Sequence, residues 1–344
     1  MNLTIIYGNG FDKNLGLNTT YPDFYKWLNE NKQREDDEIY CNIKEKPNDW
    51  SDLELALGKY TFDNEIHPEK FEEAYENLIE DLNEYLLLEQ EKLMDSMHGG
   101  NMLLNTIEHF KKNLISTGQK RNAKDIQNIM NNSVQILPID KKYFSIDIQF
   151  ITFNYTETME MLLHDNGYSR KLSNSNYMQL RINQPIHVHG TLNNSMVLGV
   201  NDETQFKSEI FDNNFPEFFV KNKNLTDHVN STDLEEALEV IRYSQVIFLF
   251  GVSLGETDKI YWGKIATWLL NSDERIVLLY DYETPMESIS KVVQSKMERS
   301  WNETKDKFLK QSGLSNVEQK QISKQIFPLY GNGFLNLEEA QQDN

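Results

Sequence analysis

With a single cysteine, Cys41, the chain can close no disulfide within itself and can build no cysteine-based zinc site. Basic residues are also scarce: 34 Lys and Arg stand against 54 Asp and Glu, a formal charge of −20. A field of that sign repels phosphate backbones, which argues against general nucleic-acid binding. It does not bar a small anionic ligand, because a pocket can present backbone N–H groups locally. The first residues, Met1–Tyr7, lack the basic start and long apolar run of a secretory signal. No stretch reaches the ~18 uninterrupted apolar residues of a membrane span. A cytoplasmic location without membrane contact is therefore expected.

What the chain does have is core material. Hydrophobic residues make up 39% of the 344, with 18 Phe, 16 Tyr and 5 Trp, enough to exclude global disorder. Four β-branched or aromatic runs read as buried parallel strands: Leu3–Tyr7, Ile148–Phe153, Val246–Phe250 and Ile276–Tyr280. Ile186–Val188 and Met196–Val200 are shorter candidates. Most end in a small or polar turn that leads into a helix-like segment. This pattern predicts a doubly wound, mostly parallel, Rossmann-like α/β sheet, in which ligands sit at the carboxyl ends of the strands.

The expected organisation is one α/β domain with its core at 1–58 and 146–282. A helical insertion fills 59–145, and C-terminal helices occupy 283–330. Tyr21–Asn31 and Pro68–Met97 carry apolar residues at helical spacing, the latter Phe71, Tyr75, Leu78, Leu82, Tyr85 and Leu86. Met102–Leu114 and Ala123–Met130 continue the pattern. Tyr330–Phe334 repeats the pentapeptide Tyr7–Phe11, but no wider similarity surrounds the copies, and coincidence is the simpler reading.

Four strand ends carry candidate chemistry. Leu3–Tyr7 runs into Gly8-Asn9-Gly10-Phe11-Asp12, with Gly16 beyond. Two glycines there permit either close approach to a phosphate or a plain tight turn. The dinucleotide fingerprint is incomplete, since Lys13 replaces its last glycine, which argues against an ordinary NAD-dependent dehydrogenase. Asn154 ends the second strand and can hold a ribose hydroxyl or a water, or close a turn; Thr156 can cap the helix that follows. His187 and His189 alternate along a strand and so face one way. A zinc site would need a third ligand that the spacing lacks, leaving His189, beside Gly190, either a general base or a packed histidine. Gly251-Val252-Ser253-Leu254 follows the third strand and offers amides and a hydroxyl to a phosphate or ribose.

Gly8–Asp12, Trp50…Asp52-Leu53-Glu54, Phe153–Thr156, His189-Gly190 and Gly251–Gly255…Asp258 together resemble the AbiH family of bacterial abortive-infection proteins, over about residues 4–262. The same blocks also resemble a divergent sirtuin-type NAD site, with Asp12 and Thr156 in place of the usual Ser and Asp, and without the four-cysteine zinc module. That resemblance implies an NAD-consuming hydrolase, free of metal, acting in phage defence. Asn154 and His189 would be catalytic, and Gly8, Asn9, Gly10, Asp12, Gly16, Gly251, Ser253 and Leu254 would bind the nucleotide. A non-catalytic NAD or ADP-ribose sensor, or an interaction protein on an inert scaffold, are the rival expectations. Either a homo-oligomer or a phage-derived trigger would suit a defence protein.

Overall fold

The computed structural model describes residues 2–96, 143–163, 167–171, 177–194, 196–212, 215–221, 230–281 and 291–330. The expected helices Met102–Leu114 and Ala123–Met130 lie outside them. Seven strands form one sheet: β1 Asn2–Tyr7, β2 Tyr143–Thr152, β3 Gly167–Lys171, β4 Tyr177–His187, β5 Val246–Phe250, β6 Ile276–Asp281 and β7 Ile326–Tyr330. Their order is β3-β4-β2-β1-β5-β6-β7. All neighbours run parallel except β3, an antiparallel edge strand on β4.

Taken alone, the six parallel strands have the order third-second-first-fourth-fifth-sixth, the arrangement of dinucleotide-binding sheets. The reversal of direction falls between β1 and β5. After β1 comes α1, Gly10–Asn14, whose Phe11 packs on one face of the sheet with Phe150 and Phe248. After β5 comes α9, Lys259–Leu270, whose Trp262 and Ile265 pack on the other face with Ile6 and Leu249. With apolar layers on both sides, every residue of β5 is buried, so the run reads Val-Ile-Phe-Leu-Phe without alternation.

Between β1 and β2 stand α2 Tyr21–Asn31, α3 Glu38–Glu45, α4 Leu53–Asp63 and α5 Pro68–Ser96. Thr20, Asp37 and Asp52 cap the first three through their side-chain oxygens. These helices share a separate hydrophobic core, in which Phe24, Trp50, Phe71 and Tyr75 meet Phe206, Phe211, Phe215 and Phe219 from beyond β4. This cap therefore draws on chain from both sides of residue 58, and on 192–220 as well.

Several boundaries differ from expectation. Met196–Val200 forms no strand; Val200 makes only an isolated bridge to Val220. β2 and β4 begin earlier than their apolar runs. The span 283–330 is not helical to its end. After α10, Lys291–Gln311, and α11, Asn316–Ile322, residues Ile326–Tyr330 form β7. β7 tolerates Pro328 because it is an edge strand. Between α5 and α9, the remaining helices are α6 Thr158–Leu162, α7 Phe215–Phe219 and α8 Asn230–Tyr243. No helix among the described residues is long and apolar enough to cross a membrane.

Candidate functional site

At the point of reversal the loops after β1 and β5 cross backbone to backbone. Gly8 N–H donates to Phe250 O at 3.1 Å, and Gly10 N–H donates to Gly251 O at 2.9 Å. A Cβ on Gly10 would stand 2.4 Å from Gly251 Cα, and one on Gly251 2.5 Å from Gly10 Cα. Gly251 also has φ +60°, and Leu254 has φ +50° with its side chain in the core. The left-handed turn at Leu254 costs a non-glycine residue about 1–2 kcal/mol. These glycines thus answer first to the crossing. The N–H groups of Gly8 and Gly10 are spent on it and are not aimed at a ligand.

Beside the crossing lies a cavity of about 300 Å³, between the carboxyl edge of the sheet and the cap. Such a volume falls at the small end of ligand pockets. Of the residues singled out from sequence, Gly8, Asn9, Asp12, Asn154, His189, Gly251 and Ser253 line it. Gly10 lies behind them at the crossing, and Gly16 (φ +85°) ends the turn after α1. Leu254 points into the hydrophobic layer under α9.

Asp12 is buried and accepts hydrogen bonds from Thr156 Oγ1 at 2.6 Å and Thr158 Oγ1 at 2.7 Å. Thr156 therefore ties Asp12 down instead of capping α6, whose N-cap is Glu157. Burial pushes the Asp12 carboxyl up to about 6, with the two threonine hydroxyls opposing. Asn154 bridges two strand ends: its backbone N–H donates to Thr152 Oγ1, and its Nδ2 donates to Gly8 O at 3.2 Å.

The two histidines part company, because β4 ends at His187 and the chain turns through Gly190 (φ +77°). His187 Nδ1 lies 2.9 Å from Asn154 O, and its Nε2 lies 2.7 Å from Glu160 Oε1. Both ring nitrogens face acceptors, which an imidazolium satisfies. Burial opposes that charge, but Glu160 outweighs it and raises the ring's proton affinity. His187 thereby anchors the backbone of Asn154.

His189 instead reaches Asp258, with Nε2 2.9 Å from Oδ1. Burial lowers its proton affinity, and the Lys221 ammonium lowers it further. The ring is therefore neutral at neutral pH. Its one proton belongs on Nε2, facing the carboxylate, and the lone pair on Nδ1. Burial alone would raise Asp258, but Lys221 and the His189 N–H outweigh it and hold the carboxyl at about 2. Lys221 Nζ lies 2.6 Å from Glu54 Oε2 and 3.4 Å from Asp258 Oδ1. Burial pushes Glu54 up to about 7, against the pull of the lysine. Tyr155 OH, 3.3 Å from the other Glu54 oxygen, donates to Val197 O at 2.9 Å.

Glu54, Lys221 and Asp258 are the site residues that motif reasoning did not single out. Glu54 and Asp258 do fall within the motif blocks, but nothing in the local sequence marks Lys221, which follows Phe218-Phe219-Val220. A neutral base paired with a carboxylate, an orienting amide and several buried carboxyls can together activate a water and stabilise positive charge. Among the described residues, no group of three His, Cys, Asp or Glu is placed to hold a metal ion.

Against known proteins, one family model matches, described as bacteriophage abortive infection AbiH, over residues 4–280. A search of curated proteins finds no match.

Proposed function

The chain belongs to the bacteriophage abortive-infection AbiH family, and from that premise we propose that it hydrolyses NAD to nicotinamide and ADP-ribose. One observation carries the reading: Asn154 and the neutral His189 line a single cavity at the reversal point of a dinucleotide-type sheet. The chemistry suits the residues. Nicotinamide leaves a cationic pyridinium as a neutral base, so no general acid is required. As the C1′–N bond breaks, its electron pair goes to the ring nitrogen and positive charge grows on the ribose. Carboxylates such as Asp258 stabilise that charge. A water oxygen bonds to C1′, and its proton passes to His189 and then to solvent. Asn154 orients the ribose and the water. A cavity of this size takes the nicotinamide–ribose half of the substrate. With the amides of Gly8 and Gly10 engaged, contact with the pyrophosphate falls to Asn9, Val252 and Ser253. This assignment follows the resemblance of the motif blocks to a divergent sirtuin-type NAD site.

The test is nicotinamide release from NAD by the wild type, His189→Ala and Asn154→Ala. Release by the wild type, with a loss of about 10²-fold or more in each variant, supports the reading. Equal release by all three refutes the assigned roles. A second reading, a non-catalytic NAD or ADP-ribose sensor, is favoured by the protein partners that both side chains already hold, Gly8 O for Asn154 and Asp258 for His189. Calorimetric NAD binding without turnover would select it.

A further inference from the structure

We propose that Lys221 is a positioning residue: its ammonium, seated between Glu54 of the cap and Asp258 of the sheet edge, sets the orientation and the charge of the His189 ring. The functional half of this inference rests on the hydrolase reading; the structural half does not.

Lys221 has no freedom to serve elsewhere. Its backbone N–H donates to Val200 O at 2.9 Å, and Val200 N–H donates to Phe219 O at 2.9 Å, fastening its root to the aromatic core of the cap. Its side chain is only 3% exposed, against 9% for Glu54, 13% for Asp258 and 6% for His189. An ammonium so enclosed, hydrogen-bonded to Glu54 and paired with the Asp258 carboxylate, stays protonated and is no nucleophile.

The geometry then assigns its effect. Asp258 Oδ1 is shared: it accepts from Lys221 Nζ at 3.4 Å and from His189 Nε2 at 2.9 Å. A carboxylate beside His189 favours a second proton on the ring, which would leave it no lone pair to accept one. Burial opposes that proton and the Lys221 ammonium opposes it further, so the ring stays a neutral base. The charged groups facing His189 are Asp258 and Lys221, with the Val188 backbone beside the ring and the Phe153 ring 5.6 Å away; Glu54 stands behind the lysine, and Asp52 also feels its charge. Because Lys221 and Glu54 come from the cap while Asp258 and His189 come from the sheet edge, seating of the cap is written directly into the charge of the base.

The experiment uses full-length protein labelled at histidine. The His189 signal is assigned by its absence in His189→Gln and followed by NMR as pH is varied, alongside nicotinamide release. In Lys221→Met the His189 titration is expected to move to higher pH, and Lys221→Arg to restore it. The acid limb of kcat/KM should move the same way, with kcat at neutral pH falling about tenfold and KM changing less. An unshifted His189 titration in folded Lys221→Met overturns the proposal. Should that variant fail to fold, Lys221→Gln decides. Its amide keeps a hydrogen bond to Asp258 and removes the charge, so the titration must again move to higher pH; no movement, or the opposite sign, overturns the proposal. The outcomes also separate the two readings. A shifted titration in a protein that releases no nicotinamide keeps the role of Lys221 and refutes the hydrolase. Turnover with an unshifted titration does the reverse.

Discussion

Placing a methyl group at the loop crossing tests the most constrained contact in the molecule. In Gly10→Ala the new Cβ would lie 2.4 Å from Gly251 Cα and 2.9 Å from Gly251 O. Ordinary contact begins near 3.4 Å, so the backbones must part by about 1 Å. Neither partner is a flexible side chain that can swing aside. Overpacking of this kind costs about 1–3 kcal/mol. Stretching the Gly10–Gly251 hydrogen bond adds about 1 kcal/mol, giving a loss of about 2–4 kcal/mol. Gly251→Ala meets the same clash from the other side, with φ +60° adding about 1 kcal/mol. Gly16→Ala is the control: its φ is +85°, but nothing lies within 4 Å of the added carbon, so it pays about 1 kcal/mol for conformation alone. Once one methyl has forced the loops apart, the second finds room. The double variant should therefore cost clearly less than the sum of the two single ones. Urea denaturation reads these values directly. If Gly10→Ala costs no more than Gly16→Ala, or if the two crossing variants add, the loops are not held in contact and the argument fails.

Other expectations follow from the same geometry. Asp12 has a folded-state value of about 6 against 3.8 ordinarily, so the stability it contributes is complete below about pH 4 and is lost as pH rises through about 6. The loss is about 3 kcal/mol, and Asp12→Asn should flatten the stability–pH curve across that window; an unchanged slope would show that Asp12 is not buried as described. Asn154→Ala and His189→Ala should each cost about 1–3 kcal/mol, because both residues are buried and hydrogen-bonded. They should still melt cooperatively while activity is lost; aggregation on expression would make their role structural. Chelation with EDTA should leave the melting temperature unchanged, and a fall on chelation would reveal a structural metal.

Much of the sheet was legible because its central strands are buried on both faces. Val246–Phe250 and Leu3–Tyr7 can be nothing but interior, and their glycine ends mark the crevice. The flanks were harder to read. β4 carries Gln179, Arg181, Asn183 and Gln184, and its register shifts near Pro185, so only its last apolar residues looked like strand. β7 hid behind Pro328. Asn154 and His189 could be placed at the cavity from sequence because each follows a strand. Lys221 was not, because its meaning lies in partners 167 and 37 positions away. The glycine loops left two readings open in the sequence, a phosphate cradle or a plain tight turn; in the structure Gly10 and Gly251 meet each other, and a tight turn for a phosphate and one for a second backbone leave the same mark in sequence.

The position of β5 has a consequence for how the protein is made. Thr4 and Ser244 share a hydroxyl hydrogen bond across 240 positions of chain, and β5, which follows at once, is the strand that closes β1 on its second side. On the ribosome, everything up to Gln245 emerges without it. Such a nascent chain lacks Phe250 O and Gly251 O, the acceptors for Gly8 and Gly10, and lacks Asp258 altogether. No translation product that stops before Asp258 contains the whole pocket. A nascent chain of this abortive-infection family protein that ends before β5 therefore carries no complete pocket, and the apolar β1 lacks the neighbour that covers its second edge.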